Sequence, residues 1–261
     1  MERRNFLTGT IATSALAMAQ GAGAQTNDNT GKEREFYQLR RYSLQSGPQA
    51  SMTEKYISEA LIPALAGKGG PVGAFRVEIG PETPTYYVLI PITAPATAAS
   101  LELELSQKET YVKAAEPFWS APASSPAFLR VDSSLFVAFE GWPRLTPPAK
   151  GKRIFQLRTY ESPSYRDHIV KVQMFNSGEF EVFKNAGFQP VFFGDTLIGP
   201  RMPSLTYMLS LQDTAELDAK WNAFRDNPAW KKLSADPRFA FEQIVSNITN
   251  LILSPLAASQ I

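Results

Sequence analysis

The chain has 261 residues, 44% of them apolar, with 26 Lys or Arg against 25 Asp or Glu and a formal net charge of +1. That balance, with no Lys/Arg run longer than two residues, excludes the basic footprint from which nucleic-acid binding starts. The absence of Cys and the presence of one His exclude disulfides, iron–sulfur clusters, thiolate haem and Cys-based zinc; no Asp-rich calcium loop is present either.

Residues 1–24 read as an export signal. Arg3 and Arg4 precede a mildly apolar run from Thr10 to Ala19, and Ala22-Gly23-Ala24 forms a small-x-small cleavage site. The run is far short of the roughly 20 residues a membrane span needs. The expectation is export by the twin-arginine route to a periplasmic or extracytoplasmic location, with no membrane span. That route carries folded proteins, with or without a cofactor.

The remainder is written twice. FYQLRRY (36–42) recurs as IFQLRTY (154–160), an offset of 118 from Gln38 to Gln156. Ile79-Gly80-Pro81 with Pro84, Thr85 and Tyr86 recurs as Ile198-Gly199-Pro200 with Pro203, Thr206 and Tyr207. Pro117-x-Trp119 followed by Pro126-x-Phe128 recurs as Pro228-x-Trp230 followed by Pro237-x-Phe239. Three matches in one order mark an internal duplication. In the first copy the periodicity predicts a strand at 35–42, a helix over 50–66, strands at 73–79 and 86–92 about a hairpin, a helical region at 97–115 and a strand near 135–139. The second copy predicts strand 153–160, helix 165–186, strands 189–197 and 205–211, helical pieces at 213–225 and 228–234, and a final segment through 248–253. This is βαββαβ twice, the ferredoxin-like pattern of an α+β fold. The domains are 33–142 and 153–256, joined by the linker PRLTPPAKGK (143–152), with antiparallel sheets packed face to face as an α/β barrel.

Side chains alternate across a strand, so Tyr37 and Leu39 oppose Phe36, Gln38, Arg40 and Tyr42, and Phe155 and Leu157 oppose Gln156, Arg158 and Tyr160. The expectation is that the Tyr/Phe-plus-Leu face packs under helices and the two Gln-Arg-Tyr stripes face each other between the sheets. A buried guanidinium requires an anionic or carbonyl partner. Two readings stand: a cavity holding an anionic or carbonyl-bearing ligand, or structural pairing of each arginine with a carboxylate such as Glu78 or Asp195.

The strand motifs, the hairpin and the segment Asp226-Asn227-Pro228-x-Trp230 resemble the NIPSNAP family, of the dimeric α/β-barrel superfamily. The likeness is most specific over 174–209 and looser in the first half, whose hairpin carries Glu82 where the second has Arg201. It implies the tandem ferredoxin-like fold. It implies little about function, because the vesicle, mitochondrial and binding roles proposed for eukaryotic relatives do not carry over to an exported protein. Related branches of the superfamily include haem enzymes and cofactor-independent oxygenases.

His168 is read as a surface or helix-end residue, or else as a general base or axial haem ligand acting with Tyr160. Asn176 and Glu179 stand three apart on one predicted helix face, with Gly178 between them as an oddity that marks a kink or a close approach. Asp195 and Arg201 flank the hairpin as a candidate salt bridge or ligand contact, and Trp119, Trp221 and Trp230 are expected in the core. The expected function is an exported binding module for a small ligand or a partner, without a cofactor, with its site between the sheets and with a homodimer left open. The alternative is a cofactor-independent or haem-assisted oxidoreductase.

Overall fold

The computed structural model describes residues 33–45 and 47–261. The expected export signal lies outside the described residues.

Eight strands close into one antiparallel barrel in the order β1-β3-β2-β8-β5-β7-β6-β4. They are β1 (Phe36–Ser43), β2 (Gly73–Ile79), β3 (Thr85–Ile92), β4 (Arg130–Ala138), β5 (Ile154–Glu161), β6 (Gln189–Ile198), β7 (Ser204–Leu211) and β8 (Asn247–Pro255). Within residues 36–138 the order is β4-β1-β3-β2, and within 154–255 it is β8-β5-β7-β6, the same ferredoxin-like arrangement. The two sheets join where β2 pairs β8 and β4 pairs β6, so no strand of the barrel is left with a free edge.

Helices cover the outside. The first half has α1 (Pro48–Tyr56), a π-helical turn (Ile57–Leu61), α2 (Ile62–Leu65), α3 (Pro95–Ser106) and α4 (Glu109–Trp119). The second has α5 (Tyr165–Met174), a π-helical turn (Phe175–Glu179), α6 (Phe180–Asn185), α7 (Thr214–Asp226), α8 (Pro228–Ser234) and α9 (Phe241–Ile244). The starts have local causes. Pro48, Pro95 and Pro228 occupy first-turn positions, where a missing N–H costs nothing, and Ser164 and Asp213 accept from the backbone N–H groups of Asp167 and Glu216. The π-helical turns sit at equivalent places, 118 residues apart, so the duplication extends to a local irregularity.

The barrel makes three cores. One lies between the first half's sheet and helices, with Tyr42, Tyr56, Tyr111 and Phe118 among its members. A second lies under the second half's helices, around Tyr160, Phe175, Phe183, Phe193 and Tyr207. The third fills the barrel and draws on both halves: Tyr37, Phe75, Phe136, Phe155, Phe192, Met208 and Leu253. Phe75 meets Phe155 with ring centroids 4.8 Å apart, and Tyr37 meets Phe192 at 5.2 Å, so aromatic contacts tie one half to the other.

This reverses the expected assignment of faces. Tyr37, Leu39, Phe155 and Leu157 point into the barrel, and Gln38, Arg40, Tyr42, Gln156, Arg158 and Tyr160 point toward the helices. Both faces of each strand are covered, so polarity does not select the helix side; what selects it is which helix residues satisfy the polar groups. Trp119 is 40% exposed rather than a core anchor. Residues 143–152 cross one end of the barrel: the Thr146 N–H donates to the Val191 carbonyl at 2.8 Å, and Leu145 packs against the barrel's interior core.

Candidate functional site

At the end of the barrel away from that crossing, the interior opens into a well of about 320 Å³, within the range of small-molecule sites. Its floor is apolar, formed by Leu39, Val77, Phe136, Leu157 and Leu251 above the packed aromatic core. Above the floor runs a belt of hydroxyls, including Thr85, Thr159, Thr196, Ser204, Thr206 and Thr249. Arg41, Glu82, Arg130, Asp132 and Arg201 surround the mouth, where the hairpins through Pro81 and Pro200 stand.

The strands explain this layering. Arg41 continues the inward row of Tyr37 and Leu39, and Thr159 continues that of Phe155 and Leu157. Aromatic residues at one end of each strand thus close the barrel, and short or charged residues at the other leave it open. Thr159 and Thr206 share a hydrogen bond of 2.9 Å, as do Thr196 and Ser204. The Thr85 hydroxyl is buried with no partner among the described residues, a polar atom for which the well is the route to one.

The charges at the mouth are unevenly committed. Arg41 pairs with Glu82 and, at 3.6 Å, with Asp132, which also receives Arg130 Nε at 3.2 Å. Arg201 is looser: it donates to Thr249 Oγ1 at 3.0 Å and lies 3.8 Å from Glu161. Its backbone has φ 62°, the left-handed region that a residue with a Cβ seldom adopts.

The expected site residues lie elsewhere, Arg201 excepted. Arg40 is buried and held on the helix side by Glu102 of α3 and by Gln38 Oε1, at 3.1 and 3.3 Å, instead of by Glu78 or Asp195. Arg158 has no carboxylate within ion-pair distance among the described residues. It donates to the Tyr160 hydroxyl at 2.9 Å and lies over the Trp221 ring, 4.4 Å from its centroid. Tyr160 in turn bonds Tyr207 at 3.0 Å, and Trp221 donates to Gln156 Oε1 at 2.8 Å. Tyr42 packs against Tyr56 and Phe118 in the first half's helix core.

His168 is 6% exposed, not a surface residue, with Nε2 2.7 Å from Asp195 Oδ1 and a buried, unpartnered Nδ1. Asp195 therefore faces His168 rather than Arg201, and the expected hairpin salt bridge does not form. Asn176 and Glu179 do not share a face either, because the π-helical turn rotates them apart. Asn176 accepts from the Gly141 N–H at 3.0 Å, whereas Glu179 is buried against the fully buried Lys171 ammonium at 2.8 Å. Burial holds the Glu179 carboxyl above the usual carboxylate range. Gly178 has φ 143° with open space around it, so its backbone conformation, and not a close approach, accounts for the glycine.

Among the described residues no three His, Cys, Asp or Glu side chains converge on a cation site. His168 does not fit an axial haem role, since Nε2 is committed to Asp195 and the residue is buried on α5, outside the lining of the well. No described helix is long and apolar enough to cross a membrane.

Sequence reasoning missed Arg41, Thr85, Asp132, Thr159, Thr206 and Thr249. One signal was available: Arg41 and Thr159 are a position at which the repeated heptapeptides differ, inside an otherwise matching QLRxY frame.

The fold is a tandem of ferredoxin-like units closed into an α/β barrel, with a polar well at one end. Residues 155–260 match the NIPSNAP family. The chain is similar in structure to a candidate monooxygenase from Lactobacillus acidophilus NCFM, with 11% identity over 87% of this chain and 97% of that one at a TM-score of 0.58. It is also similar to a candidate monooxygenase from Fusobacterium nucleatum subsp. nucleatum ATCC 25586 (10% identity, 86% and 94% covered, TM-score 0.57). An anthrone oxidase-like protein resembles it at 8% identity, with 86% and 92% covered and a TM-score of 0.52. These likenesses show the fold alone. No curated protein sequence matches the chain.

Proposed function

We propose that the chain is an exported binding protein for a small molecule, which enters the barrel and is held in the hydroxyl-lined well. The observation that carries this reading is the contrast inside one barrel, aromatic and closed at one end, hydroxyl-lined and open over about 320 Å³ at the other. A barrel serving only stability gains from filling that space, because packed apolar side chains contribute more than solvated threonines. The sequence of residues 1–24 supports export.

The test is a thermal-shift screen of small polar compounds against wild type and Thr159→Phe, which places a ring in the well. Compounds that raise the melting temperature of wild type but not of the folded variant support the reading. No shift anywhere, or shifts that persist in the variant, overturn it. A reporter fused after residue 30 checks export: loss of translocation on replacing Arg3 and Arg4 by Lys is expected.

A second reading, a cofactor-independent oxidoreductase, has one observation in its favour: the imidazole–carboxylate pair of His168 and Asp195, the geometry that orients a general base. The fold's resemblance to candidate monooxygenases agrees with it. Tyr160 is committed to Arg158 and Tyr207, so this reading rests on His168. Oxygen consumption with phenolic substrates that is abolished in His168→Asn supports it; turnover unchanged in that variant overturns it.

A further inference from the structure

Resting on the binding reading above, we infer that the ligand is a small amphipathic carboxylate, its apolar body on the floor of the well and its carboxylate at Arg201. The well is graded along its depth. Leu39, Val77, Leu157 and Leu251 at the floor offer no hydrogen bond, so the innermost part of the ligand is apolar. The hydroxyl belt above accepts or donates without charge. At the mouth the lining carries three guanidiniums and two carboxylates, with a third carboxylate, Glu161, 3.8 Å from Arg201.

Arg201 is the most loosely paired of the three guanidiniums. Arg41 and Arg130 are held by Glu82 and Asp132, whereas Arg201 has as its one carboxylate within 4 Å, among the described residues, Glu161 at 3.8 Å. Its hydrogen bond to Thr249 uses one nitrogen, Nη1, and leaves the planar fork that matches a carboxylate able to turn to the mouth. The strained left-handed backbone at Arg201 positions this side chain over the opening, at the place where the first half's hairpin carries Glu82. A cationic ligand would meet a like charge there, and a wholly polar one would leave the floor unused.

The experiment is calorimetric titration with 2-naphthoate and its uncharged isostere 2-naphthamide. Naphthoate is expected to bind at least tenfold tighter than the amide. Arg201→Gln should weaken naphthoate at least tenfold and leave the amide unchanged. Arg201→Gly, which suits the left-handed backbone, repeats the test should the glutamine variant fold poorly. Equal or tighter binding of the amide, with both probes lost in Thr159→Phe, overturns the carboxylate assignment and leaves the well as the site. Absence of binding by naphthoate at millimolar concentration also overturns the assignment. Naphthoate binding that survives in folded Thr159→Phe overturns the well reading and this inference with it.

Discussion

Arg40 and Arg158 occupy the same position of the same strand in two halves of one fold, yet they are stabilised by different physics. Arg40 holds a carboxylate, Glu102 on α3. The matching position on α7, ten residues beyond the end of the corresponding strand, is Trp221, and Arg158 lies over its ring. The indole N–H then takes the glutamine oxygen that Arg40 uses in the first half. A duplicated frame has kept its arginine and exchanged a charged partner for an aromatic one, which a guanidinium accepts because it is weakly hydrated and planar. The second half also buries an ion pair, Lys171 with Glu179, where the first has Thr53 and Leu61.

The sharpest way to probe this difference is to break the buried pair. Glu179→Ala leaves the Lys171 ammonium uncompensated and is expected to lower stability by about 3–5 kcal/mol in urea unfolding. Lys171→Met combined with Glu179→Leu should restore most of it by making the second half resemble the first. A single variant that costs under about 1 kcal/mol would show that the pair is open to water.

Next in size is Trp221→Ala, expected to cost about 3 kcal/mol, since the ring packs against Phe183, Phe188 and Phe224 as well as Arg158. An alkaline titration asks instead whether the halves are equally tight. Burial pushes the Tyr111 phenol up to about 12 and raises those of Tyr42, Tyr56 and Tyr207. These groups stabilise the fold fully below the ordinary tyrosine value of about 10, and that contribution is lost as the pH rises above it, for Tyr111 toward about 12. The phenolate absorbance of these four buried tyrosines, unlike that of the exposed Tyr165, should therefore appear together with unfolding; those of one half ionising first would mark that half as looser.

The smallest effect belongs to Glu102→Ala. The glutamate side chain is half exposed, so water can take its place at the buried Arg40 guanidinium, which keeps the Gln38 oxygen, and its loss should cost about 1 kcal/mol. A cost equal to that of Trp221→Ala would erase the distinction between the two halves.

Much of the fold was legible in the sequence because loops preserved the repeat's order: the three anchors gave two βαββαβ units and the barrel. The orientation of the strands was not legible. Gln38, Arg40 and Tyr42 look like a solvent- or ligand-facing stripe, and only the helix residues opposite them, Glu102 and Trp221, decide otherwise. His168 could not be placed either, since its partner Asp195 lies 27 residues away on β6. The well was hidden for a simpler reason. Threonine is an ordinary strand residue, and nothing local distinguishes Thr159, Thr206 or Thr249 from threonines that merely favour extended backbone.

Closing the barrel within one chain has a consequence for what the well can discriminate. A barrel built from two identical subunits has a two-fold axis through its interior, so any group on one wall is repeated on the other. Here Arg41 faces the place of Thr159, and Glu82 the place of Arg201, with no such axis. The two walls of the well therefore differ, so the covalent fusion of the halves supplies a directional sense that identical subunits could not.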